Sequence, residues 1–119
     1  IVFEEALTDL HVIIKKQKRS LTMPLIVRCA RDVLRGVEYL HGIKVVHRDI
    51  KPANILVFKE MKLKLGDFGL AREFSDDIMT VRNEVSTLWY RAPELIMGAS
   101  TYNSKIDEWS VGVLILEML

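Results

Sequence analysis

His47-Arg48-Asp49-Ile50-Lys51-Pro52-Ala53-Asn54, followed by Asp67-Phe68-Gly69, is the stretch on which the reading of this chain turns. Asp49 stands 5 residues before Asn54, and Asn54 stands 13 before Asp67. Two carboxylates and one amide supply hard oxygen atoms of the kind Mg²⁺ takes. Lys51 adds a cation close behind Asp49, and Gly69 frees the backbone to turn after Phe68. The bland alternative is a set of solvated turns, because Asp, Asn, Pro and Gly are also turn formers. Either half of the pattern alone leaves that alternative competitive. Both halves in order, with Ala92-Pro93-Glu94 downstream, argue strongly against chance.

The bulk properties are permissive. The chain has 119 residues, enough for one domain or part of one. A domain of this size buries roughly two-thirds of its unfolded surface, and 50% of the residues are apolar. The 17 basic and 16 acidic residues leave a net charge of +1, which gives no argument for nucleic acid or an anionic membrane as a partner. The run Lys15-Lys16-Gln17-Lys18-Arg19 reads as the solvated end of a helix. The lone Cys29 excludes an internal disulfide and fits a reducing, intracellular compartment. Its helical neighbours make it a core residue rather than a nucleophile. No apolar run reaches the ~18 residues of a membrane span, and no secretory signal is visible.

Around the central stretch, periodicity places the elements. Ile1 to Phe3 read as the end of a buried strand, and a helix is expected from near Thr8-Asp9, both good N-cap types. Thr22-Met23-Pro24 open a second helix. Leu25, Cys29, Val33 and Val37 form its apolar stripe, widened by Ile26, Ala30, Leu34 and Leu40. About 18 residues of helix span about 27 Å, and Gly42 is expected to end it. Val45-Val46, Ile55–Val57 and Leu63–Leu65 are short strand candidates. Asp67 to Glu94 reads as one long polar loop, a length usually tied to function or disorder. From about residue 105 an apolar helix is expected, with Ile106, Trp109, Val113, Ile115 and Leu116 marking it.

These motifs resemble those of eukaryotic protein kinases, whose signature combines H-R-D-x-x-x-x-N with D-F-G and A-P-E. The resemblance covers residues 1–119 and implies an α+β, protein kinase-like fold that is partial. It implies a mostly helical C-terminal lobe with short β-hairpins, the N-terminal lobe being absent. Lys51 resembles the serine/threonine branch. Thr87-Leu88-Trp89-Tyr90-Arg91-Ala92-Pro93-Glu94 is most similar to cyclin-dependent kinases. Leu88, and the lack of a tyrosine between Gly69 and Trp89, disfavour the mitogen-activated branch.

By this resemblance the reaction is transfer of the γ-phosphoryl of ATP to a protein Ser or Thr, with Mg²⁺. Asp49 would orient the substrate hydroxyl, Lys51 would meet the transferring phosphate, and Asn54 and Asp67 would hold the metal. Thr87 would contact the catalytic Asp and Lys. Phe3 matches the gatekeeper, Glu4 and Ala6 the hinge, and Asp9 the neighbourhood of the ribose. Arg91 would shape a pocket for a proline after the phosphorylated residue. His47 is read as a packed histidine bonded to backbone, and Asp107, in Asp107-x-Trp109-Ser110-x-Gly112, as a prop beneath the catalytic loop. A cyclin is a further implied partner; the helix it contacts precedes residue 1 in the family.

The departures are specific. Arg48 and Arg72 match two arginines that grip an activating phosphate, yet Arg82 stands where the phosphorylated threonine is expected. Thr80 is the substitute candidate, with Ser75 and Ser86 behind it. The rival readings are neutralisation by an acid such as Glu84, or a surface ion pair of little energetic worth. Glu108 and Ser86 replace an aliphatic residue and a valine. The chain contains no G-x-G-x-x-G loop, no V-A-I-K lysine and no partner helix glutamate. The family's later helices, with the arginine that pairs with the glutamate matching Glu94, are also absent. The 119 residues alone are therefore expected to bind ATP poorly and not to catalyse. A non-catalytic scaffold and a small-molecule phosphotransferase are the alternatives.

Overall fold

The central stretch is held between two apolar clusters. Ile50 is buried in the larger one, with Leu10 and Ile14 from a first helix, Cys29, Val33 and Val37 from a second, and Val111, Leu114 and Met118 from a third. Val46 is buried in the smaller one, with Phe74, Ala92, Tyr102 and Ile106. The polar residues between Val46 and Ile50 are thus pinned at both ends by side chains removed from water. The computed structural model describes residues 4–17, 21–75, 79–80 and 88–119. Ile1 to Phe3, Arg82, Glu84, Ser86 and Thr87 lie outside them.

Strand β1 (Thr8–Asp9) leads into helix α1 (Leu10–Gln17), and helix α2 spans Met23–Gly42. The helix expected near Thr8-Asp9 starts there, at Leu10, directly after Asp9. Thr8 and Asp9 pair with the backbone of Leu56 and Val57, and Asp9 caps α1 by accepting the Val12 N–H on Oδ1 at 3.0 Å. Helix α2 runs 20 residues rather than about 18. Ile26, Cys29, Val33, Val37 and Leu40 form its buried face, while Leu34 is exposed. Burial raises the Cys29 thiol pKa, in keeping with a core role. Gly42 is the last residue of the helix, as expected. The left-handed residue that turns the chain is Lys44, with φ 61°.

The three short strand candidates are present. Strand β2 (Val45–Val46) pairs antiparallel with β5 (Arg72–Glu73). Strands β3 (Ile55–Val57) and β4 (Leu63–Leu65) form a hairpin with β1 at its other edge. Asp32 on α2 accepts the Leu63 N–H at 3.0 Å and ties the hairpin to the helix.

The segment expected to be one long loop is broken into small elements. Arg72–Glu73 is strand β5, Met79–Thr80 is strand β6, Leu88–Tyr90 is a 3₁₀ turn, and Pro93–Ile96 is helix α3. Strand β6 pairs with β7 (Thr101–Tyr102). Two-residue ladders carry no hydropathy period, which is why the sequence pattern missed them.

Helix α4 (Lys105–Met118) begins where expected but buries a different face. Ile106, Asp107, Val111, Leu114 and Met118 point inward, whereas Trp109 and Leu116 are exposed. The helix is apolar on several sides, so its sequence alone did not select the inner face.

Candidate active site

Pro52–Asn54 forms a 3₁₀ turn that brings Asn54 back toward Asp49. Proline suits the first helical position, and the Asn54 N–H closes the turn on the Lys51 carbonyl at 2.9 Å. The Asn54 side-chain nitrogen then donates to the Asp49 carbonyl at 2.8 Å and to Asp49 Oδ2 at 2.9 Å. Lys51 Nζ lies 3.7 Å from the same Oδ2. Asp49, Lys51 and Asn54 therefore converge as their spacing predicts. With its nitrogen committed to Asp49, Asn54 presents its carbonyl oxygen as the atom for an incoming ligand.

Asp67 reaches this group through backbone. The Gly66 N–H donates to the Asn54 carbonyl at 2.8 Å. A Cβ on Gly66 would come within 2.9 Å of Leu56 Cγ, so glycine allows this close approach. Asp67 has φ 50°, an uncommon left-handed conformation for a residue with a side chain. Its Oδ1 accepts the Gly69 N–H at 3.2 Å, and its exposed side chain can meet a ligand.

His47 is fully buried and uses both ring nitrogens. Nδ1 accepts the Asp49 N–H at 3.2 Å. Nε2 must then carry the proton, and it donates to the Gly66 carbonyl at 2.9 Å. The ring also stands edge-on to Phe68, with centroids 5.1 Å apart. One neutral imidazole thus ties the Asp49 loop to the Asp67-Phe68-Gly69 turn.

Asp107 lies beneath the loop at 1% exposure. Its Oδ2 accepts from the His47 N–H at 2.9 Å and from His41 Nε2 at 2.8 Å. Its Oδ1 accepts the Arg48 N–H at 2.9 Å. Arg48 has φ 68°. A left-handed non-glycine residue costs about 1–3 kcal/mol and persists where its surroundings over-determine it. The buried carboxylate does that here. Its charge is compensated by three donors, as a buried charge requires. His41 was not singled out in the sequence; its place in the last turn of an otherwise regular helix gave no signal.

The other expected residues divide by position. The Glu4 side chain pairs with Lys64, whose hydrogen bond leads in pulling the Glu4 carboxyl below its usual value. Ala6 is half-buried, next to Leu7, whose N–H donates to the Val57 carbonyl at 2.9 Å. Asp9 uses Oδ1 to cap α1. The Arg48 guanidinium bonds the Leu70 carbonyl through Nε at 2.6 Å and the Tyr102 hydroxyl through Nη1 at 3.1 Å. Arg72 is half-buried, and its backbone faces Val46 across the β2–β5 ladder. The Thr80 backbone faces Thr101. Arg91 shares a small pocket with Arg48, Asp49, Tyr90, Ala92 and Ser110. Ser110 Oγ anchors that segment by donating to the Tyr90 carbonyl at 2.6 Å.

The donor set also bears on the metal. Among the described residues no group of three or more His, Cys, Asp or Glu side chains forms a cation cage. A single carboxylate with one amide oxygen suits Mg²⁺, which keeps waters and takes phosphate oxygens rather than demanding an all-protein site. The residues fit that ion in combination with a polyphosphate, and would not hold it tightly alone.

An aspartate bonded to the asparagine five residues on, and tied to a following Asp-Phe-Gly turn, is the arrangement of the protein kinase signature. The protein kinase domain family matches residues 1–119, and the chain belongs to it. Over its whole length it is 42% identical to human Cyclin-dependent kinase 20, of which it spans 35%. It is 47% identical to Mitogen-activated protein kinase 4a of Physcomitrium patens, of which it spans 31%. A chain in the crystal structure of the yeast RNA Pol II CTD kinase CTDK-1 complex superposes with a TM-score of 0.89 at 38% identity. That match covers 98% of this chain and 38% of the other. The fold is thus part of a protein kinase fold, in the group that holds cyclin-dependent and mitogen-activated kinases. The mitogen-activated relative is at least as similar in identity, so Leu88 and the missing tyrosine separate the two branches less sharply than expected. The chain spans about a third of the length of these curated relatives. No helix among the described residues is long and apolar enough to cross a membrane.

Proposed function

We propose that this chain carries the catalytic loop and metal-binding residues of an ATP-dependent protein serine/threonine kinase. The observation that supports this most directly is the Asn54 amide bonded to Asp49 Oδ2, with Lys51 Nζ 3.7 Å from the same oxygen. Asp49 accepts or orients the proton of the substrate hydroxyl. Lys51 places its cation toward the transferring phosphate. Asn54 and Asp67 hold Mg²⁺, which when bound neutralises charge on the phosphates. Glu4 and Ala6 offer backbone bonds to the adenine, and Asp9 lies toward the ribose. Thr87 supports Asp49 and Lys51. The protein's contribution is positioning and electrostatic stabilisation rather than covalent chemistry.

The substrate is a protein Ser or Thr followed by proline, with Arg91 shaping the pocket for that proline. A cyclin-type partner belongs to the same reading, supported by the resemblance to a protein named for cyclin dependence. Arg48 and Arg72 receive a phosphate on Thr80, in place of the position held by Arg82. The β6–β7 register supports this, because it sets the Thr80 backbone opposite Thr101, one residue before Tyr102, a hydrogen-bond partner of Arg48. Phosphopeptide mapping of active protein, with Thr80→Ala kinetics, tests the regulatory part. Unchanged activity without modification at Thr80 would sink it and favour an acid such as Glu84.

The test of the main proposal is transfer of labelled phosphate from ATP to Ser-Pro and Thr-Pro peptides by the full-length protein with Mg²⁺. Asp49→Ala is expected to lower the rate by about 10²–10⁴-fold, the range of a positioned acid or base. Absence of transfer by the wild type would favour the non-catalytic scaffold reading. The 119-residue chain alone is expected to give no measurable transfer, because its sequence has no glycine-rich phosphate loop.

A further inference from the structure

Arg48 is gripped at both ends by one short segment. Its N–H is held by Asp107, in the first turn of α4. Its guanidinium is held by Tyr102, in the strand just before that helix. Tyr102 is only 7% exposed, and its ring belongs to the cluster containing Val46, Phe74, Ala92 and Ile106. The ring is therefore fixed by packing, and its hydroxyl is a fixed acceptor rather than a mobile surface group. The Leu70 carbonyl, just past the Asp67-Phe68-Gly69 turn, takes Nε of the same guanidinium. The Arg48 side chain thus connects that turn to β7, while its backbone precedes Asp49. The Tyr102 backbone in turn faces Met79, next to Thr80.

We infer that Tyr102 is a positioning residue for the catalytic loop. Its hydroxyl holds the Arg48 guanidinium and thereby fixes the backbone from which Asp49 projects. The chain of contacts is continuous: the β6–β7 ladder to Tyr102, Tyr102 to Arg48, and Arg48 to Asp49. Through it, order in the segment carrying Thr80 reaches the catalytic aspartate. Tyr102 touches neither nucleotide nor substrate in this scheme, so its effect passes through Arg48. The catalytic consequence rests on the proposed kinase function; the effect on the loop does not.

Tyr102→Phe keeps the packed ring and removes only the hydroxyl. In the full-length protein it is expected to lower kcat by up to about tenfold, the scale of losing one hydrogen bond, with the KM for ATP nearly unchanged. Amide hydrogen exchange across His47–Asn54 should speed up in the same variant, measured in the 119-residue chain as well. Exchange requires no catalysis, so this arm stands even if the wild type proves inactive. Wild-type inactivity would count against the proposed function alone. In an Arg48→Ala background, adding Tyr102→Phe should change loop exchange no further. Unchanged exchange in Tyr102→Phe would overturn the inference. So would an effect of Tyr102→Phe that is undiminished in the Arg48→Ala background, since that would mark a structural role independent of Arg48. If Tyr102→Phe fails to fold, Arg48→Ala is read instead: loop exchange accelerated to a similar degree on both sides of Arg48 supports the clamp, and exchange equal to wild type overturns it.

Discussion

The Asn54 side chain donates twice to Asp49, once to its backbone carbonyl at 2.8 Å and once to its carboxylate at 2.9 Å. One amide thereby fixes both the loop and the orientation of the carboxylate. Asn54→Ala removes both bonds from a residue that is 6% exposed. Hydrogen bonds to charged groups contribute about 1.5–3 kcal/mol. Denaturant unfolding should show a loss of about 2 kcal/mol, and any Mg²⁺ dependence of kinase activity should shift to higher metal concentration. Wild-type stability in Asn54→Ala would contradict the geometry.

Asp107 supports the left-handed Arg48 and has three donors directed at it. Asp107→Asn preserves size but sets an NH₂ group against N–H donors. Breaking such a buried arrangement costs about 3 kcal/mol or more. Thermal unfolding should report a marked fall in Tm. Nuclear magnetic resonance should show the amide signals of His47 and Arg48 shifted by the loss of the carboxylate. His41→Ala removes one donor from the partly buried edge and should cost less.

Two glycines should respond oppositely to alanine. At Gly66 the new Cβ meets Leu56 Cγ at 2.9 Å and Leu56 Cδ1 at 3.0 Å. Overpacking of this kind costs about 1–3 kcal/mol, and Leu56→Ala in the same chain should recover part of it. At Gly112, inside α4, a Cβ meets nothing within 4 Å. Gly112→Ala should stabilise the 119-residue chain by about 0.5–1 kcal/mol through helix propensity. The pair of unfolding curves checks both signs.

Tyr90 carries an alkaline signature. Burial raises its phenol pKa, and its 2.5 Å hydrogen bond to Glu117 Oε2 raises it further. The folded state therefore holds the phenolic proton to higher pH than the unfolded state. Its stabilising contribution is complete below the ordinary tyrosine value of about 10 and is lost as pH rises above it. Absorbance titration should show one tyrosine ionising later than the others while the chain stays folded. Tyr90→Phe should remove that late step and flatten the alkaline fall in stability. A titration with all three tyrosines ionising together would refute the assignment.

The elements of the Asp49 loop were legible because their geometry is local. Asp49, Lys51 and Asn54 converge through a single 3₁₀ turn, and a proline-led turn is a short-range decision of the backbone. Helix α2 was legible because its buried residues recur at helical spacing. The face of α4 was not, because Trp109 and Leu116 are as apolar as Val111 and Leu114. The end of α2 at Gly42 was legible, but the residue that takes the positive φ was not. That residue is Lys44, leading into the β2–β5 ladder.

By itself, then, the sequence determined which oxygen and nitrogen atoms stand at the centre, since their spacing along one loop suffices to bring them together. Tertiary structure decided how that loop is held. Asp107 reaches it across sequence separations of 60 and 59 residues and Tyr102 across 54, while Asp107 meets His41 across 66. No local periodicity records such contacts. They exist because the two apolar clusters pin the loop at Val46 and Ile50, leaving the polar groups between them to find partners out of water. A buried N–H must be satisfied, the half-buried Arg48 guanidinium finds partners beside it, and the packing of α4 and β7 placed the acceptors there.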